Sequence, residues 1–292
     1  MWRDIKSFFR KGDTLTRLII INGAVFIGIQ LVWLFAGLMN SNAEKNIGSD
    51  LFLAASSSIA VLASRPWSIV THLFTHVGFA HFFFNMIMLY AAGRMFQFFI
   101  GANRLLVVYL LGGWCGFFLY FLFYNIFPAL DANSMILGAS ASVMAVFIAV
   151  AVVEPEREVK FFGILDIKLK WLAVLFVLLD LLSLRKGDNM GGHIGHFGGA
   201  VFGYFYGKKL LQGKPIGDKW ANTFADWARW LKRKPKMKVT QKNPRMKSDE
   251  EFNEEKKRRQ KRVDEILDKI SRSGYEHLTK EEKDFLFQNS QK

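Results

Sequence analysis

Residues able to carry out acyl transfer fall in three short stretches of an otherwise apolar chain. They are Gly138-Ala139-Ser140-Ala141-Ser142-Val143-Met144, His81-Phe82-Phe83-Phe84-Asn85, and His196-Phe197-Gly198-Gly199-Ala200-Val201-Phe202-Gly203. A serine hydroxyl becomes a nucleophile when an imidazole takes its proton, and the tetrahedral intermediate then needs donors aimed at its oxyanion. Ser140 and His196 can supply the nucleophile and the base. His81 and Asn85 are four residues apart, so on a helix both point to one side. With the Ser140 backbone N–H they could form an oxyanion hole.

Each piece also has a plain packing role. Gly-Ala-Ser-Ala-Ser has the composition of a small-residue helix contact, and Gly199 and Gly203 form a GxxxG of the kind that lets helices approach. Gly138, Gly199 and Gly203 are therefore the expected helix-packing glycines. Packing and chemistry agree here, because close approach at Gly199 and Gly203 would bring His196 to Ser140. His72 and His76 have i,i+4 ligand spacing, but no carboxylate accompanies them as in HExxH, so loop-stabilising hydrogen bonds are expected and no metal. His193 competes with His196 as base, but it lies at the very mouth of its helix. Asp180 could be a third catalytic group, and pairing with Arg185 or Lys186 is its simpler role.

The elements that must position these groups are membrane helices. Of 292 residues, 51% are hydrophobic, and the mean hydropathy is +0.15. The apolar residues gather between residues 15 and 211, in blocks near the roughly 20 residues that a membrane-spanning helix needs. Six spans are expected, over 18–39, 80–100, 105–127, 135–153, 171–184 and 191–211. Glu154-Pro155-Glu156 stops the fourth, since proline ends helices and restricts its predecessor. In the first, Asn22 and Gln30 should face other helices. The first connection is long, and its segment 51–62, interrupted by Ser56-Ser57-Ser58, should be interfacial. The start Met-Trp-Arg-Asp-Ile-Lys lacks a signal-peptide cleavage pattern, so the first run should persist as a helix.

The net charge of +14 flanks these spans rather than forming a nucleic-acid patch, and no nucleic-acid partner is expected. Basic residues concentrate on the side that holds both termini, which positive-inside logic makes cytoplasmic. The second, fourth and sixth spans then all run inward. His81, Asn85, Ser140 and His196 each fall in the first one or two turns, at one level near the outer face. The single cysteine, Cys115, allows no intramolecular disulfide.

Jointly, His-x-x-x-Asn opening the second span, Gly-x-Ser in the fourth and His-x-x-Gly-x-x-x-Gly in the sixth resemble the rhomboid family of intramembrane serine proteases. The similarity covers about residues 15–211. It implies an all-α, polytopic membrane protein with a six-helix rhomboid bundle. It implies Ser140 as nucleophile and His196 as base in a dyad without an acid. His81 and Asn85 become oxyanion-hole side chains, and His76 a structural histidine. The implied substrates are single-span membrane proteins cut near the outer face, without metal or organic cofactor. The family usually has glycine where this chain has Ala141, and often a tyrosine where it has Met144. The short fifth span and the loop at 185–190 are the expected substrate gate. A proteolytically inactive member that binds and escorts transmembrane clients is the alternative. The basic tail and the lack of eukaryotic targeting features point to a bacterial cytoplasmic (inner) membrane.

The expected organisation is a cytoplasmic segment 1–17, a membrane domain 18–211, a basic juxtamembrane linker 212–250 and a small helical tail 251–292. Trp220, Phe224, Trp227 and Trp230 beside Lys232-Arg233-Lys234 suit a membrane-surface helix. In the tail, Val263, Ile266, Leu267 and Ile270 share one helical face. Thr279-Lys280-Glu281-Glu282 is a capping box opening a second helix. Such a hairpin is too small for a large core and should dock on itself or on a partner protein.

Overall fold

The computed structural model describes residues 13–39, 52–130, 133–161, 165–184, 189–221, 223 and 249–290. These are mostly helical. The Trp227 and Trp230 end of the basic linker, the N-terminal segment 1–12, and Arg185 and Lys186 lie outside the described residues. The chain divides into two compact units, Met1–Arg233 and Lys234–Lys292.

In the first unit α1 spans Thr14–Met39, α2 Ile59–Ser64, α3 Ser68–Thr71 and α4 Phe79–Phe99. Then come α5 Ala102–Ile126, α6 Ser140–Val153, α7 Leu169–Ser183 and α8 Met190–Leu211. Helices α1 and α5, with 26 and 25 residues, are each long and apolar enough to cross a membrane. The α3 segment with its 3₁₀ turn His72–Phe74 joins α4 at an 85° bend, and the pair passes that test together. Helices α6 and α7 are only 14 and 15 residues, about 21–23 Å at 1.5 Å per residue.

Helix α6 occupies the centre. It packs against α4, α5, α7 and α8, and it is apolar all round, as a fully enclosed helix must be. Its Val143 and the run Ala145–Ala151 are buried. By contrast α1 leaves Val32, Phe35, Leu38 and Met39 exposed, an apolar surface suited to lipid. Asp13 caps α1 by accepting the Thr16 N–H at 2.8 Å. The two polar residues of α1 turn inward, as expected. Asn22 donates to the Tyr109 hydroxyl at 3.2 Å, and Gln30 donates to the Val77 carbonyl at 3.0 Å.

The chain is mostly helical, as expected, and two short antiparallel pairings are added to the helices. Ala55–Ser56 (β1) pairs antiparallel with Met135–Ile136 (β2). This trims the fourth helix, which begins at Ser140 and not near 135. The buried Ser56 and Ser57 side chains bond the Ser134 carbonyl. Second, the charged stretch after α6 is a hairpin, Glu158–Phe161 (β3) against Leu165–Lys168 (β4). Its alternation of Glu158, Lys160, Asp166 and Lys168 with Val159, Phe161, Leu165 and Ile167 is a strand pattern. Glu156 clamps its base, accepting from Lys168 at 2.9 Å and from Lys170.

After α8 the chain continues against the same unit. Asp218 accepts two hydrogen bonds from Arg104, both 2.8 Å, and Ala221 is buried.

The second unit holds α9 (Asp249–Ser273), the 3₁₀ turn Tyr275–His277 and α10 (Lys280–Ser290). The capping box is formed: Thr279 N–H donates to Glu282 at 2.8 Å, and Glu282 N–H donates to Thr279 Oγ1 at 3.3 Å. Lys269 reaches both Glu282 oxygens at 2.9 Å. Ile266 and Leu278 are buried. Leu267 is half exposed, so the apolar face of α9 is narrower than the spacing predicts.

Candidate active site

Ser140 is the first residue of α6. Gly138 turns the chain into that helix with φ +119°, a conformation that favours glycine. The expectation of Gly138 as a helix-packing glycine is therefore corrected. It lies before the helix, and a β-carbon on it would stand 2.7 Å from His81 Cε1 and 3.7 Å from Ser140 Oγ. The cap residue Ala139 offers no side-chain acceptor. The first N–H groups of α6 thus keep their partial positive charge for whatever occupies the site.

The loop ahead of α4 holds this turn in place. Gly138 N–H donates to the His72 carbonyl at 2.9 Å. Ala139 N–H donates to His76 Nε2 at 3.3 Å. His72 Nδ1 lies 2.8 Å from the Ser68 carbonyl. The His76 and His81 rings meet edge to face, with centroids 5.1 Å apart. His81 and Asn85 sit one turn apart at the start of α4, and Asn85 Nδ2 donates to the His81 carbonyl at 2.8 Å. An amide nitrogen carries two protons, so a second donor remains.

His196 approaches through glycine. A β-carbon on Gly199 would overlap the Ala141 carbonyl oxygen, and one on Gly203 the Ala145 carbonyl. Gly207 extends the contact, since a β-carbon there would stand 2.8 Å from Val152 Cβ, and one on Gly195 would stand 2.9 Å from Ile136 Cδ1 of β2. Their four-residue period was readable in the sequence and was missed. Gly116 of α5 contributes too, since a β-carbon on it would lie 2.6 Å from Ala141 Cβ. The side chain at 141 thus fills a space that α5 leaves open. In lipid, close packing of this kind replaces the hydrophobic effect as the force joining helices.

Ser140, His81, Asn85, Met144, Asp180 and His196 line one cavity of about 990 Å³. Its walls are largely apolar side chains of α4, α6 and α7, and it reaches Val159 and Lys160 of β3. Among the described residues the Ser140 hydroxyl makes no hydrogen bond, to His196 or to any other group. Catalytic hydrogen bonds are often long in ligand-free enzymes and tighten with substrate.

The expected pairing of Asp180 with Arg185 or Lys186 falls on residues outside those described. One carboxylate oxygen, Oδ1, meets His193 Nδ1 at 2.8 Å and His196 Nδ1 at 2.9 Å. An acid in an apolar helix was the available signal, but its partners stand on α8 and only folding brings them together. Among the described residues these three are the groups that could also converge on a cation. Two ring nitrogens at 2.8 and 2.9 Å from a shared oxygen match N–H donors to a carboxylate.

Residues 63–213 match the Rhomboid domain family, and residues 247–292 match a family of unknown function, DUF6576. The chain is 24% identical over 202 residues to "Rhomboid protease GluP" of Bacillus subtilis (strain 168), covering 64% of this chain and 37% of that protein. It is 29% identical over 145 residues to "Presenilin-associated rhomboid-like protein A, mitochondrial" of Danio rerio, covering 49% and 37%. It is 28% identical over 162 residues to "Rhomboid-related protein 1" of Caenorhabditis elegans, covering 51% and 41%. The match thus spans well under half the length of each relative. The family match takes in just over half of this chain, including the stretches around His81, Ser140 and His196, and with that the chain belongs to the rhomboid family.

Proposed function

We propose that the chain is an intramembrane serine endopeptidase that cuts single-span membrane proteins near the outer face of the membrane. One observation carries this: Ser140, His196, His81 and Asn85, from three helices, line a single apolar-walled cavity, with Ser140 at an uncapped helix N-terminus. A "Rhomboid protease" among the relatives supports it. Ser140 Oγ attacks the scissile carbonyl as His196 takes its proton. The oxyanion that forms is met by the Ser140 N–H, the free Asn85 N–H and the His81 ring. His196 then protonates the leaving amine, and water resolves the acyl-enzyme. The chain side of the cavity needs no metal or organic cofactor for these steps. The concentration of Lys and Arg beside the spans supports cytoplasmic termini, and the basic tail together with the lack of eukaryotic targeting features supports a bacterial inner-membrane location.

A second reading is a proteolytically silent member that binds and escorts transmembrane clients. Relatives named only "rhomboid-like" and "Rhomboid-related" are compatible with it. One experiment separates the two. Wild type, Ser140→Ala and His196→Ala are purified in detergent and given a fluorophosphonate probe and a model single-span substrate. Cleavage and labelling by wild type, lost in both variants, are expected. Folded wild type inert to both would overturn the protease and leave the binder.

A further inference from the structure

A serine–histidine pair leaves Asp180 without a task, yet the structure holds its carboxylate largely buried on α7 between two imidazoles. Such a group is costly in a membrane unless it is bonded and used. Both bonds converge on Oδ1, at 2.8 Å from His193 Nδ1 and 2.9 Å from His196 Nδ1. The two rings stand edge to face, 86° apart, with centroids separated by 5.8 Å. A carboxylate only accepts, so each ring donates Nδ1–H. A neutral imidazole protonated at Nδ1 keeps its lone pair on Nε2.

We propose that Asp180 is a positioning residue that locks His196 in the Nδ1–H tautomer, so that Nε2 is the nitrogen that takes the Ser140 proton. The inference rests on the protease reading of Ser140 and His196. It turns the expected pair into a relay with an orienting acid on the neighbouring helix. As the Ser140 Oγ–carbon bond forms, the hydroxyl proton moves to His196 Nε2, and the ring carries N–H at both nitrogens. Asp180 stays ionised and offsets that positive charge. The Nε2 proton then passes to the amine nitrogen as the C–N bond breaks. His193 shares the same oxygen and ties the mouth of α8 to α7, so both rings are oriented by one group.

The test compares full-length wild type with Asp180→Ala, Asp180→Asn and Asp180→Glu. Probe labelling, kcat and KM are measured, together with nitrogen-15 NMR of labelled histidines. Asp180→Ala should lower kcat and the labelling rate by up to about 10,000-fold, the loss that follows when the orienting acid of a serine triad is neutralised, with KM little changed. Asp180→Glu should recover more of the rate than the near-isosteric Asp180→Asn. In the spectra, the wild-type His196 signal, assigned by its loss in His196→Ala, should show a protonated, slowly exchanging Nδ1 that Asp180→Ala removes. Wild-type rates in folded Asp180→Ala would overturn the proposal, as would His196 protonated at Nε2 in wild type. Activity lost to a chelator and restored by zinc would overturn it too, making the three groups a metal centre. If Asp180→Ala does not fold, Asp180→Asn carries the comparison. If wild type itself neither labels nor cleaves, the protease reading falls, while the tautomer signature still decides whether Asp180 orients His196.

Discussion

The His81 ring lies on the α-carbon of Gly138: a β-carbon there would stand 2.7 Å from Cε1 and 2.8 Å from Nε2 of the imidazole. Gly138 is thus fixed twice, by this contact and by its φ of +119°. Gly138→Ala should displace His81 and strain the turn that presents Ser140. A shift of about 1 Å in a reacting group can cost on the order of 100-fold in rate. Probe labelling of Gly138→Ala should fall by about that factor, while the helical content stays at the wild-type level.

Gly199 and Gly203 bear directly on the backbone of α6. A larger side chain cannot be absorbed by rotamer change, because the opposing atoms are carbonyls. Gly199→Val should destabilise the bundle by about 1–3 kcal/mol or more and abolish activity. The melting midpoint in detergent and substrate cleavage measure the two effects.

Asn85 already spends one amide proton on the His81 carbonyl. Asn85→Ala therefore removes both an oxyanion donor and a bond that steadies His81. Loss of one such donor typically costs about 100- to 1,000-fold in kcat. His81→Ala should be comparable, and the double variant less than additive, because the residues act as a unit. Steady-state cleavage of the model substrate gives the comparison.

Phe84 and Met88 of α4 and Phe176 and Leu179 of α7 line the cavity. Substrate entry between these helices predicts that a reducible bis-thiol cross-linker joining cysteines placed at 84 and 179, in a Cys115→Ser background, blocks cleavage of membrane substrates. Cleavage of the linker by reductant should restore it. Full activity of the cross-linked variant would exclude this route.

Glu156 accepts hydrogen bonds from Lys170 and Lys168, which pull its carboxyl from 4.5 down to about 2. The folded value lies below the ordinary one, so the clamp's contribution is complete above about pH 4.5 and is lost as pH falls toward 2. Amide exchange in the β3–β4 hairpin should rise across that window, and Glu156→Gln should show the faster exchange already at neutral pH. The group is fully exposed, so global stability should hardly change.

Much of this protein was written in its local sequence. Apolar block lengths, the proline after α6, and the Thr279–Glu282 capping box report on neighbouring residues, and the helices and the tail box follow from them. The GxxxG at Gly199 and Gly203 marks the face of α8 that meets α6, because small residues at a four-residue period always share a side. The alternation at 158–168 marks the hairpin equally well. Tertiary structure decided the rest. Gly138 has the composition of a packing residue, and only its positive φ and the His81 ring show that it shapes a turn. The β1–β2 pairing joins segments some eighty residues apart and shortens the fourth helix to begin at Ser140. Asp180 has basic neighbours five and six residues on in sequence, and folding places two histidines of another helix against it. Sequence spacing fixes which side of one helix a group occupies. Which groups face each other across helices depends on packing, and here that packing sets both the partners of Asp180 and the environment of Ser140.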